Sequence, residues 1–84
     1  MHKEQEDIVE CIDAKGLSCP MPLLKAKLAL NACSPGQAVR VLATDAGSVR
    51  DFHSFAELSA HTLLGFTNHG DYFEYVLLKG SVDD

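Results

Sequence analysis

Two prolines spaced two residues apart, Pro20 and Pro22, limit the fold of this chain more than any other feature. Proline lacks a backbone N–H and holds φ at about −65°, so helix interiors and central strands reject it. The first turn of a helix tolerates it, because the N–H groups there have no partner within the helix. A helix therefore starts near Pro20. Leu23, Ala26, Leu30 and Cys33 then recur at helical spacing and form one face, with Lys25 and Lys27 off it. Pro35-Gly36 ends the helix.

The flanking segments alternate as strands do. Ile8 to Ala14 places Ile8, Ile12 and Ala14 on one side and stops at Gly16. Gln37 to Thr44 places Val39, Val41 and Ala43 on one side. Asp45 or Ser48 caps a second helix running to about Ala60, whose apolar residues are Val49, Phe52, Phe55, Ala56 and Leu58. Thr62 to Thr67 and Tyr72 to Leu78 form a hairpin around Asn68-His69-Gly70-Asp71. The order βαβαββ predicts an α/β two-layer sandwich of the α+β kind, with two helices on one face of a four-stranded mixed sheet. Leu23, Ala26, Leu30, Val39, Val41, Phe55, Phe73, Tyr75 and Leu77 are the expected core. The 84 residues make one domain, 1–84, with an ordered core at about 8–79 and frayed polar ends at 1–7 and 80–84.

Charge narrows the function. The net charge is −5, with 7 Lys and Arg against 12 Asp and Glu, which opposes direct binding to nucleic acid. No segment approaches the roughly 20 apolar residues of a membrane span, and the polar N-terminus does not read as a signal peptide. A cytoplasmic location follows as an expectation. The three cysteines, Cys11, Cys19 and Cys33, are an odd number, so at least one thiol is free.

The chemistry concentrates at Cys19-Pro20-Met21-Pro22. With Cys19 as N-cap, Pro20 is the first helical residue, Pro22 the third, and the Met21 N–H is free to point at the sulfur. The positive end of the helix dipole would then favour an anion there and lower the thiol pKa. Lys15 and Lys25 would add to that field. Local chemistry alone leaves a second reading, in which Cys19 is a small loop residue before a proline-started helix. Cys33 belongs to the core face. Cys11 is a bystander or a resolving thiol.

The stretch Asp13-Ala14-Lys15-Gly16-Leu17-Ser18-Cys19-Pro20-Met21-Pro22-Leu23-Leu24-Lys25 resembles the TusA/SirA family of small sulfur carriers, whose signature is Cys-Pro-x-Pro after a Gly-Leu pair. The resemblance continues through Pro35-Gly36, Thr44-Asp45, Ser48-Val49-Arg50-Asp51, Phe55-Ala56, His61 and Tyr75 to Lys79. It implies that Cys19 accepts sulfane sulfur as a persulfide and passes it on, as a sulfurtransferase-type carrier. It implies a sulfur-donor protein, a cysteine desulfurase or rhodanese-type enzyme, and an acceptor protein. The acceptor would serve tRNA thiolation, molybdenum-cofactor assembly or sulfur oxidation, and some relatives are linked to selenium. No cofactor is implied. The alternative is a non-catalytic interaction or regulatory module of the same fold. Two positions depart from many relatives: His53, often Pro, and Ala60, often Gly. Gly there would suit a left-handed helix end, so Ala60 implies a different turn.

Pro20, Met21 and Pro22 are expected to shape the site. Leu24, Lys27 and Leu28 lie beside the core stripe of the first helix and offer a partner contact of apolar residues with charge nearby. Asp45, Arg50 and Asp51, at the start of the second helix, are either capping and solvated charges or part of a docking rim that includes Asp45 and Arg50. His61 is either a helix-end residue bonded to a last-turn carbonyl or a proton-transfer group. The four histidines show no tight pairing with one another or with cysteine, so no metal site is expected.

Overall fold

The computed structural model describes residues 7–81. Its elements are β1 (Asp7–Ala14), α1 (Met21–Ala32), β2 (Gln37–Ala43), α2 (Gly47–Leu58), β3 (Thr62–Asn68) and β4 (Phe73–Leu78). The sheet order is β1-β2-β4-β3, with β1 parallel to β2 and both other pairings antiparallel. The fold is the expected α+β sandwich with a mixed sheet. Asp7 opens β1, and the Gly80 N–H is hydrogen-bonded to His61. The rest of the expected frayed ends, 1–6 and 82–84, lies outside the described residues.

Alternation along β2 and β4 buries Val39, Val41, Ala43, Tyr75 and Leu77. From the helices, Pro22, Ala26, Ala29, Leu30 and Phe52 are buried. The expected stripe on α1 is rotated slightly: Leu23 and Cys33 are only partly buried, and Pro22 and Ala29 take the inner positions. Phe55 and Phe73 pack on the core margin rather than within it, and Leu58 is 87% exposed. On α2 the inward residue is Phe52, whose ring stacks on Tyr75 at 4.1 Å between centroids. Ile8 is exposed because Val9 is an extra residue in the β1–β2 register.

Punctuation follows the sequence. Gly16 and Gly70 take positive φ, +87° and +99°, at the end of β1 and in the β3–β4 turn, where other residues are strained. The end of α2 is extended at Ser59, and among the described residues only glycines have positive φ, so Ala60 closes the helix without a left-handed residue. His61 differs from expectation: its Nδ1 accepts the Gly80 N–H at 3.0 Å. A side chain at Gly80 would lie 1.9 Å from the Ala60 carbonyl oxygen, so that close approach requires glycine. Lys79 donates to the Leu30 carbonyl at 2.6 Å and ties the chain beyond β4 to the end of α1.

Two consequences are measurable. Phe52→Ala removes a fully buried ring and should lower stability by about 3–5 kcal/mol, read from urea unfolding. A loss under about 1 kcal/mol would mean the Phe52–Tyr75 stack does not anchor α2. Burial, then the charge of Lys79, holds the His61 pKa below its ordinary value of about 6.5. The native state thus refuses a proton that the unfolded chain accepts. Its contribution to stability is complete above about pH 6.5 and is lost as pH falls below that. Urea midpoints should fall over that interval, and His61→Gln should flatten the fall. An unchanged slope in the variant would exclude His61 as its source.

Candidate functional site

The loop after β1 delivers Cys19 to the end of the sheet at which both helices begin. Gly16 N–H donates to Thr44 Oγ1 at 2.9 Å, tying that loop to the end of β2. Pro20 is the N-cap of α1, and Met21 and Pro22 are its first two residues. The helix therefore starts one residue later than expected, and Cys19 stands just before the cap. Its sulfur is exposed. The Met21 N–H, expected to point at the sulfur, donates to the Ser18 carbonyl at 2.8 Å instead. Met21 is 43% exposed beside the cysteine, whereas Pro22 is buried and anchors the turn.

The start of α2 supplies the other half of the site. Its N-cap is Ala46, but Asp45 performs the capping chemistry from one position earlier: its Oδ2 accepts the Gly47 N–H at 2.9 Å. Ser48 is not a cap. It is buried in the first turn, donates to the Asp45 carbonyl at 2.7 Å and shares a hydrogen bond with the Tyr75 hydroxyl at 2.7 Å. This fixes the turn against the sheet. A Cβ at Gly47 would stand 3.8 Å from Cys19 Sγ, so the backbone of α2 passes directly beside the thiol.

One turn further, Asp51 reaches the sulfur. The Cys19 Sγ–H donates to Asp51 Oδ2 at 2.6 Å. This reverses the expected electrostatics. The hydrogen bond to Asp51, then desolvation, then the negative charges of Asp51 and Asp45 raise the Cys19 pKa, and Arg50 opposes them. The expected contribution of lysines is absent from this balance. Lys15 Nζ lies over the Tyr72 ring at 4.9 Å, and Lys25 lines a depression with Glu10 and Ile12. At rest the site is a neutral thiol held by a carboxylate.

The remaining candidates divide between two surfaces. Lys27 lies over the Phe55 ring at 5.5 Å and lines a groove between the helices with Leu23, Asp51 and Leu58. Leu28, 70% exposed, faces the β1 side near Glu10 and Ile12. Leu24 is 43% exposed. Arg50 is exposed and near enough to act on the thiol. Asp51, which reads from the sequence as either a cap or a rim charge, is the residue in contact with the thiol. Its signal was its place one turn into a helix that starts at the same sheet end as Cys19. Cys11 is exposed on β1 and Cys33 is partly buried, so Cys11 joins Cys19 as an accessible thiol.

Residues 10–79 match the family described as Sulfurtransferase TusA. The chain belongs to that TusA family. It is 44% identical over 73 residues to the sulfur carrier protein TusA of Allochromatium vinosum, covering 87% of this chain and 96% of that one. It is 41% identical over 69 residues to the putative sulfur carrier protein YrkI of Bacillus subtilis, covering 82% and 92%. The crystal structure of a SirA-like protein from Desulfitobacterium hafniense superposes with a TM-score of 0.74 at 25% identity, covering 87% of this chain and all of that one. TusA membership thus spans the sheet, both helices and the Cys19 turn together.

The geometry predicts the titration of Cys19. In a Cys11→Ser background, the rate of iodoacetamide modification should rise with pH to a midpoint above the ordinary thiol value of about 8.5. A midpoint below that value would show that the α1 dipole outweighs Asp51.

Proposed function

We propose that this protein carries sulfane sulfur as a persulfide on Cys19, receiving it from a donor protein and passing it to an acceptor protein in a sulfur relay. One observation carries the reading: within a TusA-family fold, the cysteine of Cys-Pro-Met-Pro stands exposed on the turn where α1 and α2 both begin. A relay needs a sulfur that two different proteins can reach in turn. An exposed thiol on a short, proline-stiffened turn meets that need.

The chain is then a sulfurtransferase-type carrier rather than an interaction module that merely keeps the fold. Cysteine desulfurases and rhodanese-type enzymes fit the donor role, because their products are protein persulfides. The acceptor's pathway is tRNA thiolation, molybdenum-cofactor assembly or sulfur oxidation. The free thiols fit a reducing, cytoplasmic setting. Among the described residues, no helix is long and apolar enough to cross a membrane. Pro20, Met21 and Pro22 set the direction of the sulfur. Leu24, Lys27, Asp45 and Arg50 are proposed for the rim that partners touch. Leu28, turned towards β1, would meet only a partner that reaches around α1.

The test is intact mass after incubation with a cysteine desulfurase and cysteine. The native protein should gain one sulfur atom that maps to Cys19. Cys19→Ser should lose that gain completely while keeping the native circular dichroism, because the residue is exposed. A Cys19→Ser protein loaded as fully as the native one would end the reading.

A further inference from the structure

We infer that Asp51 is the proton acceptor for Cys19 when sulfur is loaded, and that it returns this proton to the departing thiolate of the donor. The inference rests on the sulfur-carrier reading above and assigns a second residue to that chemistry. Its basis is contact. Asp51 Oδ2 accepts a hydrogen bond from the Cys19 thiol at 2.6 Å, within the range in which a general base works.

The other usual bases are engaged elsewhere. His53 Nδ1 is hydrogen-bonded to the Val49 carbonyl at 2.7 Å, and its ring packs edge-on to Phe66 of β3. His61 holds the Gly80 N–H, and His69 holds Glu74 at 2.7 Å. Asp45 is occupied by the Gly47 N–H. Among the described residues, Asp51 is the group hydrogen-bonded to the thiol. Its position is not accidental to α2, because the Ser48–Tyr75 hydrogen bond and the Phe52–Tyr75 stack fix the turn that carries it.

The step balances without a further reactant. The Cys19 S–H bond breaks and its proton passes to the Asp51 carboxylate. The electron pair on Cys19 sulfur forms a bond to the outer sulfur of the donor's persulfide. The donor's S–S bond breaks, and its electron pair leaves on the donor cysteine sulfur. That thiolate takes the proton from the Asp51 carboxyl. Cys19 ends as a persulfide, the donor as a thiol and Asp51 as a carboxylate, with the sulfane sulfur unchanged in oxidation state.

Alkylation and loading separate this role from simple restraint of the thiol. Iodide leaves without a proton, whereas the donor thiolate gains from receiving one. Asp51→Asn keeps the size of the side chain and removes its proton chemistry. The probes are iodoacetamide and glutathione persulfide, each followed by intact mass in a Cys11→Ser background. Asp51→Asn should modify faster with iodoacetamide at neutral pH, because a negative charge beside the thiol is gone. Its loading by glutathione persulfide, taken relative to its iodoacetamide rate, should fall about a hundredfold, the usual size of an acid–base contribution. A ratio equal to that of the native protein would overturn the inference and leave Asp51 a restraint only. Failure of the native protein to gain sulfur at Cys19, from glutathione persulfide or from a desulfurase, would instead remove the carrier reading beneath it. Asp51→Asn is compared only where its circular dichroism and urea midpoint match the native protein. If it does not fold, Asp51→Glu takes its place. By keeping a carboxyl group it should hold the ratio within about tenfold of native, and a hundredfold loss there would overturn the inference.

Discussion

Everything at the site depends on how Tyr75 holds the second helix. Its ring stacks on Phe52 and its hydroxyl meets Ser48, both of which lie on the inward side of α2. Two contacts four residues apart fix the rotation of a helix about its axis as well as its distance from the sheet. With that rotation set, Gly47 passes beside Cys19 and Asp51 points at its sulfur. A core contact thus decides the electrostatics of an exposed atom. Loss of the Ser48 hydroxyl would leave a buried Tyr75 hydroxyl without this partner, a cost of about 1–3 kcal/mol.

Two fields compete at Cys19. The start of a helix favours anions, with an influence confined to about its first turn. Cys19 stands outside the cap, and the first N–H of α1 is spent on the Ser18 carbonyl. Pro22 contributes no N–H at all. The dipole therefore acts on the sulfur through few donors, while a carboxylate acts through direct contact. Contact wins, and the thiol remains protonated at neutral pH.

The elements were legible because proline and glycine mark their ends. Pro20 and Pro22, Pro35-Gly36 and the Gly70 turn divide the chain at places that admit few alternatives. The inner stripe of α1 was less legible. Leu23 and Cys33 suit a core by type, but Pro22, read as a helix starter, is also a buried contact. Ala29, small and outside the expected stripe, is buried with it. That Cys19 lies exposed where the helices begin was legible, and its acidity was not. Asp51 is 32 positions away in sequence, and only the rotation of α2 brings it to the sulfur. Periodicity can place a residue on a helix. It cannot say which of several polar residues in a first turn faces a neighbouring loop.

A carrier has to perform two opposite tasks with one sulfur. In the proposed relay, Cys19 is the nucleophile on loading, and a thiolate of higher pKa attacks more strongly once it is formed. On discharge, the acceptor attacks the outer sulfur and Cys19 is the leaving group, a task that favours a lower pKa. A fixed acidity would serve one step at the expense of the other. A proton acceptor in contact with the sulfur relaxes that conflict. It can take the proton as the nucleophile forms and, after taking one from the acceptor's attacking thiol, return it as the same sulfur leaves. On the inference drawn above, the Asp51–Cys19 pair gives a small, exposed site the means to do both.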